Sequence, residues 1–330
     1  MPPIFHTLSL TPPEVSEAHK MAYWLWGSAD APCGTLLCVH GLTRNGRDFD
    51  YLASALSSPL SVGEVDEPCE LGGGLSQLPH PHPQLPAAIS TSPSGRGYYQ
   101  VFTPDIVGRG KSDWITNTAA YNVDTYIVDL LALLDSRKIT QVDWVGTSMG
   151  GIIGMRLAAE RPNLIRKLVL NDIGGVISAK GLQRINNYAG LQMVFADRAA
   201  AEAYLRSSFA TFGITQEEHW QHMLEHSFTQ LSNGDYQLAY DPGILDPMRD
   251  PEKKLANPVD IPLWPWWDAI TCPVLVIRGE TSDILTAETL EEMVQRKPET
   301  TATLTIPNCG HAPALMEDVQ IKFIRDWLLA

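Results

Sequence analysis

The most constraining feature of this 330-residue chain is the stretch VDWVGTSMGGIIGMR at residues 142–156. An apolar run leads into a serine between glycines and then into a helix-compatible segment, which predicts a strand, a sharp turn and a helix. Glycine at 146 and 150 suits such a turn, because a Cβ there would collide with a neighbouring strand or helix. Ser148 would then lie at a helix N-terminus, beside free backbone N–H groups that can stabilise an anion. The alternative is a glycine-rich turn with an incidental serine.

Short apolar runs alternate with helix-period segments along most of the chain. Such alternation predicts crossover units and a mostly parallel sheet flanked by helices on both faces, an α/β fold. The predicted strands are Ile4–Leu10, Lys20–Trp26, Thr35–Val39, Tyr99–Thr103, Val142–Val145, Lys167–Leu170, Val274–Ile277 and Thr303–Ile306. The main predicted helices are Val123–Ser136, Met149–Glu160, Ala287–Arg296 and Met316–Leu329.

Two regions interrupt this alternation. Residues 58–97 contain thirteen Pro and Gly in forty positions, which predicts a flexible surface insertion. Residues 174–261 have a helical pattern and fall between two sheet strands, so we expect a helical cap over one edge of the sheet. The core of the fold is then predicted to comprise residues 1–173 and 262–330.

Composition and charge restrict the class of partner. The net charge of −14 disfavours nucleic acid and anionic membrane surfaces. Five cysteines without a short repeated spacing indicate neither a zinc site nor a disulfide framework. The N-terminal sequence has no signal-peptide pattern, and no apolar run reaches the length of a membrane span. We therefore expect a protein of the cytoplasm that acts on a small molecule. The sequence does not indicate an oligomeric state.

Catalysis by a serine requires a base that removes its proton and an acid that orients the base. His311 lies in the glycine-containing loop PNCGHAP, after the last predicted strand. Asp283 follows the strand Val274–Ile277, so both side chains are expected at the carboxyl edge of the sheet. As plain structural residues, His311 would be a loop histidine and Asp283 a helix cap. That all three residues fall in suitable positions, in the order Ser148, Asp283 and His311, favours a catalytic role.

Two other carboxylates are candidates for the orienting acid. Asp172, in the stretch NDIGG, also follows a predicted strand. Glu280 lies in the same loop as Asp283 and is the weaker candidate. We favour Asp283 on the sequence, and geometry has to decide among them.

An acyl-transfer site also needs hydrogen-bond donors for the oxyanion of the tetrahedral intermediate. The segment VHGLTR follows the buried strand TLLCV, and Gly41 allows a turn that points the Leu42 N–H into the site. The Met149 N–H, directly after Ser148, is the second predicted donor. His40 precedes the serine in the chain, and we expect it to support this loop rather than to act as the base.

Three further histidines have a spacing that suggests a metal site. His219, His222 and His226 fall on one face of a helix, and three histidines can hold zinc. Polar neighbours surround them: Glu217, Glu218, Gln221 and Glu225. We therefore expect a polar surface there and predict no metal and no cofactor.

Five motifs together resemble the α/β-hydrolase superfamily and are most similar to its bacterial esterase-like members with a helical cap. They are HGLTRNG at 40–46, DIVGRGKSDW at 105–114, GTSMGG at 146–151, RGETSDIL at 278–285 and GHAP at 310–313. The resemblance implies an α/β-hydrolase fold and hydrolysis of a carboxylic ester through an acyl-enzyme. It assigns the serine, acid and histidine roles to Ser148, Asp283 and His311, and the oxyanion donors to Leu42 and Met149.

Other activities are compatible with the same motifs. A carbon–carbon bond hydrolase acting on ring-cleavage products, a lactonase and an acyltransferase would use the same three residues. A receptor that binds a small molecule without turnover is the alternative from a different functional class. The sequence does not distinguish among these functions, because cap residues determine the substrate.

Overall fold

The computed structural model of the protein describes residues 2–12, 17–58, 97–249 and 259–330. The strands are β1 (Ile4–Leu10), β2 (His19–Trp26), β3 (Thr35–Val39), β4 (Gln100–Pro104), β5 (Val142–Thr147), β6 (Ile165–Asn171), β7 (Val176–Ile177), β8 (Val194–Phe195), β9 (Phe228–Gln230), β10 (Tyr236–Leu238), β11 (Ile261–Pro262), β12 (Val274–Gly279) and β13 (Thr301–Ile306). The α-helices are α1 (Asp50–Leu56), α2 (Val123–Ser136), α3 (Met149–Glu160), α4 (Ala179–Tyr188), α5 (Arg198–Ser208), α6 (Glu217–Ser227), α7 (Asp246–Arg249), α8 (Trp264–Ala269), α9 (Ala287–Arg296) and α10 (Asp318–Leu329).

Eight strands form the main sheet in the order β1-β2-β4-β3-β5-β6-β12-β13. The two N-terminal strands pair in antiparallel fashion and β2 also runs antiparallel to β4, whereas the remaining pairs are parallel. The predicted α/β architecture with a mostly parallel sheet is therefore confirmed. The order places β6 directly between β5 and β12, so the loops that follow these three strands meet at one edge.

Helices cover both faces of this sheet. Consecutive residues of a strand point to opposite faces, so apolar residues on both faces are buried under helices. On β5, Trp144 belongs to one buried cluster and its neighbour Val145 to the other. Both side chains are fully buried, which explains why two consecutive residues of this strand are large and apolar. None of the described helices is both long and apolar enough to cross a membrane.

The chain between β6 and β12 contains an inserted segment, residues 174–261, of which residues 250–258 lie outside the described part. It contributes helices α4 to α7 and two small antiparallel sheets, β8-β10-β9 and β7-β11. The sequence indicated helices only, since strands of two or three residues are too short to show an alternating pattern. The insertion predicted at 58–97 lies outside the described residues except for its two end positions.

Candidate active site

Ser148 occupies a sharp turn between β5 and α3. Its backbone is in the left-handed region with φ +51° and ψ −111°, a strained conformation that is often found at functional sites. A Cβ at Gly146 would lie 2.3 Å from the Gly150 carbonyl oxygen, and one at Gly150 would lie 2.0 Å from the Val39 carbonyl oxygen. The strand, turn and helix predicted around this serine are all present, and both glycines are sterically required.

A hydrogen-bonded chain joins Ser148 to a histidine and a carboxylate. The Ser148 Oγ lies 2.9 Å from Nε2 of His311. The other ring nitrogen, Nδ1, lies 2.8 Å from Oδ2 of Asp172. A carboxylate at Nδ1 favours the tautomer in which Nδ1–H donates and Nε2 accepts the serine proton. The geometry therefore suits removal of a proton from Ser148.

Asp172 is held rigidly by donors other than the histidine. Its side chain is fully buried. Oδ1 accepts a hydrogen bond from the Gly279 N–H at 2.8 Å, and Oδ2 accepts one from Ser282 Oγ at 2.5 Å. Hydrogen bonds of this kind stabilise an ionised carboxylate. Asp172 is thus placed to orient the imidazole of His311 and to stabilise its cation.

The expectation that Asp283 contacts this histidine is wrong. Arg184 of α4 donates from Nε and Nη2 to the two Asp283 carboxylate oxygens, at 2.6 and 2.7 Å. These hydrogen bonds hold the pKa of Asp283 below its usual range. Glu280, the third candidate acid, accepts a hydrogen bond from the Asn308 N–H on the outside of the loop. The carboxylate against His311 therefore belongs to the loop after β6, the direct neighbour of β5, and not to the loop after β12.

The loop after β3, which carries Leu42, runs beside Ser148. A Cβ at Gly41 would lie 3.7 Å from the Ser148 Cβ, and the Leu42 carbonyl accepts a hydrogen bond from Arg109 Nε at 2.8 Å. Met149 is the first residue of α3, where backbone N–H groups have no intrahelical acceptor. Leu42 and Met149 are therefore both adjacent to the serine, on different elements.

His40 supports that loop, as expected from the sequence. Its Nε2 accepts a hydrogen bond from the Ile106 N–H at 2.9 Å, and its Nδ1 lies 2.7 Å from the Gly41 carbonyl oxygen. The ring therefore carries its proton on Nδ1. Burial lowers the pKa of His40 to about 4, so the side chain is neutral at physiological pH. A neutral imidazole can serve both contacts, whereas a doubly protonated one cannot accept.

A cleft opens above Ser148 and His311. Its apolar wall comes from the inserted segment and from the loop after β13. The residues of this wall are Ile185, Phe209, Phe212, Met223, Ala312, Pro313, Ala314 and Met316. Access to the serine is therefore bounded by side chains from both the sheet loops and the inserted segment.

An ion pair between the buried Arg44 and Asp48 also lines the cleft. Arg44 donates from Nε and Nη2 to the two Asp48 carboxylate oxygens, at 2.8 and 2.6 Å. Its Nη1 donates to Ser227 Oγ at 2.8 Å, and its guanidinium lies 4.9 Å from the Phe209 ring centre. Arg44 therefore links the loop after β3 to the inserted segment, and its charge is neutralised by Asp48.

Sequence reasoning missed two residues that organise the site. Asn171 donates from Nδ2 to Thr147 Oγ1 at 3.0 Å and to the Pro313 carbonyl at 2.8 Å, which ties the serine strand to the histidine loop. Ser282 donates to Asp172, as described above. Asn171 is the last residue of β6, the strand beside β5. A polar residue at the end of a strand next to the serine strand is the signal that could have identified its role. Ser282 has no such signal, because its role depends on the rotamer it adopts.

Comparisons with known proteins agree with this fold. The family model of the α/β hydrolase fold matches residues 73–318. A 3-hydroxybutyrate-oligomer hydrolase from Cupriavidus necator is 35% identical over 306 residues, which cover 92% of this chain and 90% of that protein. A solved structure from Rickettsia typhi has a TM-score of 0.80 at 31% identity and covers 99% of both chains. An α/β hydrolase structure from Novosphingobium aromaticivorans has a TM-score of 0.75 at 30% identity and covers 98% of both chains.

Proposed function

Because the chain belongs to the α/β-hydrolase fold family, we propose that it is a serine hydrolase that cleaves carboxylic esters through an acyl-enzyme. The observation that carries the proposal is the hydrogen-bonded chain from Ser148 through His311 to Asp172. A serine, a base and an orienting acid within hydrogen-bond distance are the groups that this chemistry needs.

In the proposed reaction, Nε2 of His311 takes the proton of Ser148 as Oγ attacks the ester carbonyl carbon. The N–H groups of Leu42 and Met149 stabilise the oxyanion, each contributing about 2.7–4 kcal/mol. The imidazolium then protonates the leaving alkoxide, and the acyl group stays on Ser148. Water, deprotonated by His311, releases the acid. Asp172 stabilises the imidazolium in both steps.

The substrate class that we propose is a short linear oligoester of a hydroxy acid. The support is the relative from Cupriavidus necator, whose similarity to this chain extends over nearly the full length of both proteins. The apolar wall of the cleft suits the alkyl groups of such a chain, and we propose that residues 174–261 act as the cap that supplies much of this wall.

The experiment is a substrate panel with purified protein. We expect release of 3-hydroxybutyrate from its linear dimer and trimer, with kcat/KM at least about tenfold above that for a lactone or a vinylogous diketone. The variant Ser148→Ala should retain the fold and lose this activity. Preferred cleavage of the diketone would replace the ester assignment with carbon–carbon bond hydrolysis. Binding without turnover of any compound would favour a receptor.

A further inference from the structure

Two of the histidines on α6 come together with a carboxylate from the core of the protein. The ligand atoms of Asp50, His222 and His226 all lie within 4.8 Å of one another. His219, on the same helix, is not part of this group, because its Nδ1 lies 3.3 Å from an oxygen of Glu317. The three histidines therefore do not form one cluster, and a residue of a different element takes the third position.

We propose that Asp50, His222 and His226 form a binding site for a divalent transition-metal ion of the Zn²⁺ type. One carboxylate and two imidazoles make a donor set that proteins use for zinc when a fourth position is left to water. Imidazole and carboxylate ligands do not select Zn²⁺ alone, so ions of similar size, such as Co²⁺, should bind as well. This proposal replaces the expectation of an uninvolved polar helix surface.

The positions of the three residues suit a tetrahedral ion. His222 and His226 are four positions apart, which places both rings on one face of α6. Asp50 is the first residue of α1. Metal–ligand distances near 2.1 Å imply donor atoms about 3.4 Å apart. The Asp50 Oδ2 already lies 3.6 Å from His222 Nε2, so only small side-chain rotations are needed.

The hydrogen bonds around the cluster leave ligand atoms available to coordinate an ion. Among the residues that the structure describes, the ring nitrogens of His226 have no hydrogen-bond partner. The Nε2 of His222 lies 2.9 Å from the Arg47 carbonyl oxygen, a contact that coordination would replace. Arg47 also donates to both carboxylate oxygens of Asp50. These hydrogen bonds orient the carboxylate, as the hydrogen-bond partners of metal ligands commonly do. The charge of Arg47 opposes a cation, so we expect micromolar rather than tighter affinity.

A bound ion would connect the inserted segment to the core beside the cleft. The two histidines belong to the inserted segment, whereas Asp50 belongs to the core. Asp48 and Phe49, immediately before Asp50, line the cleft, as does Met223, next to His222. The ion would therefore bridge the two walls and stabilise the folded protein.

The test uses the metal alone and needs no turnover, so its result is independent of the proposed hydrolysis. Titration of metal-free protein with ZnCl₂ should show one ion bound per chain. At about 100 times the dissociation constant, Zn²⁺ should raise the Tm by about 4 °C. Addition of CoCl₂ should give the visible absorption of tetrahedral Co²⁺.

Three ligand variants and one matched control decide the assignment. His222→Gln, His226→Gln and Asp50→Asn should each weaken Zn²⁺ binding by at least about 100-fold, since loss of an outer-shell group alone costs 10–100-fold. His219→Gln removes a histidine from the same helix and should bind Zn²⁺ as the wild type does. Circular dichroism checks that each variant is folded. Unchanged binding by the folded ligand variants, or loss of binding in His219→Gln, would overturn the proposal.

Discussion

Arg184 and Asp283 form an ion pair with two hydrogen bonds, at 2.6 and 2.7 Å, between α4 and the loop after β12. The pair explains why the acid favoured by the sequence does not reach His311. It also attaches α4, whose Ile185 lines the cleft, to a loop that carries a donor to Asp172. The pair therefore connects the cleft wall to this loop, and its hydrogen bonds are separate from those that join Ser148, His311 and Asp172.

Substitution of Arg184 by Gln tests this role. We expect KM for a short-chain ester to rise several-fold as α4 loosens, while kcat changes by less than about threefold. The pair is partly exposed, so the loss in unfolding free energy should stay below about 1 kcal/mol. Steady-state kinetics and urea unfolding measure both effects. Arg296→Gln, which removes partly exposed ion pairs with Asp268 and Glu292, is the control and should leave KM unchanged.

Substitution of Gly150 by Ala tests the packing of the serine turn. The added Cβ would lie 2.0 Å from the Val39 carbonyl oxygen, a contact that only a backbone shift relieves. We expect a loss of more than about 4 kcal/mol or a failure to fold. Gly234→Ala is the comparison, because its φ of +96° is unfavourable but no atom lies within 4 Å of the new Cβ. That change should cost only about 1–2 kcal/mol. Equal stability of the two variants, measured by urea unfolding, would contradict the close approach.

His40 should make stability depend on pH. Burial lowers its pKa from 6.5 to about 4, so between these values the unfolded chain binds a proton that the folded chain does not. Stability is then fully present above about pH 6.5 and falls as the pH drops towards 4, by up to about 3 kcal/mol. Urea unfolding at several pH values measures this slope. His40→Gln does not titrate and should show a smaller loss on acidification. The same slope in both proteins would assign the effect to other groups.

The sequence predicted the sheet because its central strands are buried on both faces and therefore stand out as apolar runs. The helices α2, α3 and α9 have the predicted bounds, and α10 begins two residues later than predicted. The small strands of the inserted segment escaped detection, because segments of two or three residues carry no periodicity. Their pairing depends on contacts between residues that are distant in the chain.

The serine and the histidine of the candidate site were predictable, whereas the orienting carboxylate and the supporting residues Asn171 and Ser282 were not. Ser148 and His311 lie in motifs with strong local constraints, so the sequence identified both. Asp172 and Asp283 both follow strands, and the loop geometry that separates them appears only after folding. The interaction that decides is the one between Asp283 and Arg184, which lie 99 positions apart in the chain. Such a partner cannot be inferred from local pattern.

The value of kcat for two matched variants tests the account most directly. Asp172→Asn and Asp283→Asn are both isosteric and are compared with the wild type on the same p-nitrophenyl ester of a short acid. In the proposed mechanism Asp172 stabilises the His311 cation, so Asp172→Asn should lower kcat by about 10⁴-fold. Asp283→Asn should lower it by less than about fivefold. The reverse ranking, or an equal loss in both folded variants, would contradict the assignment of Asp172 as the acid partner of His311 and Ser148.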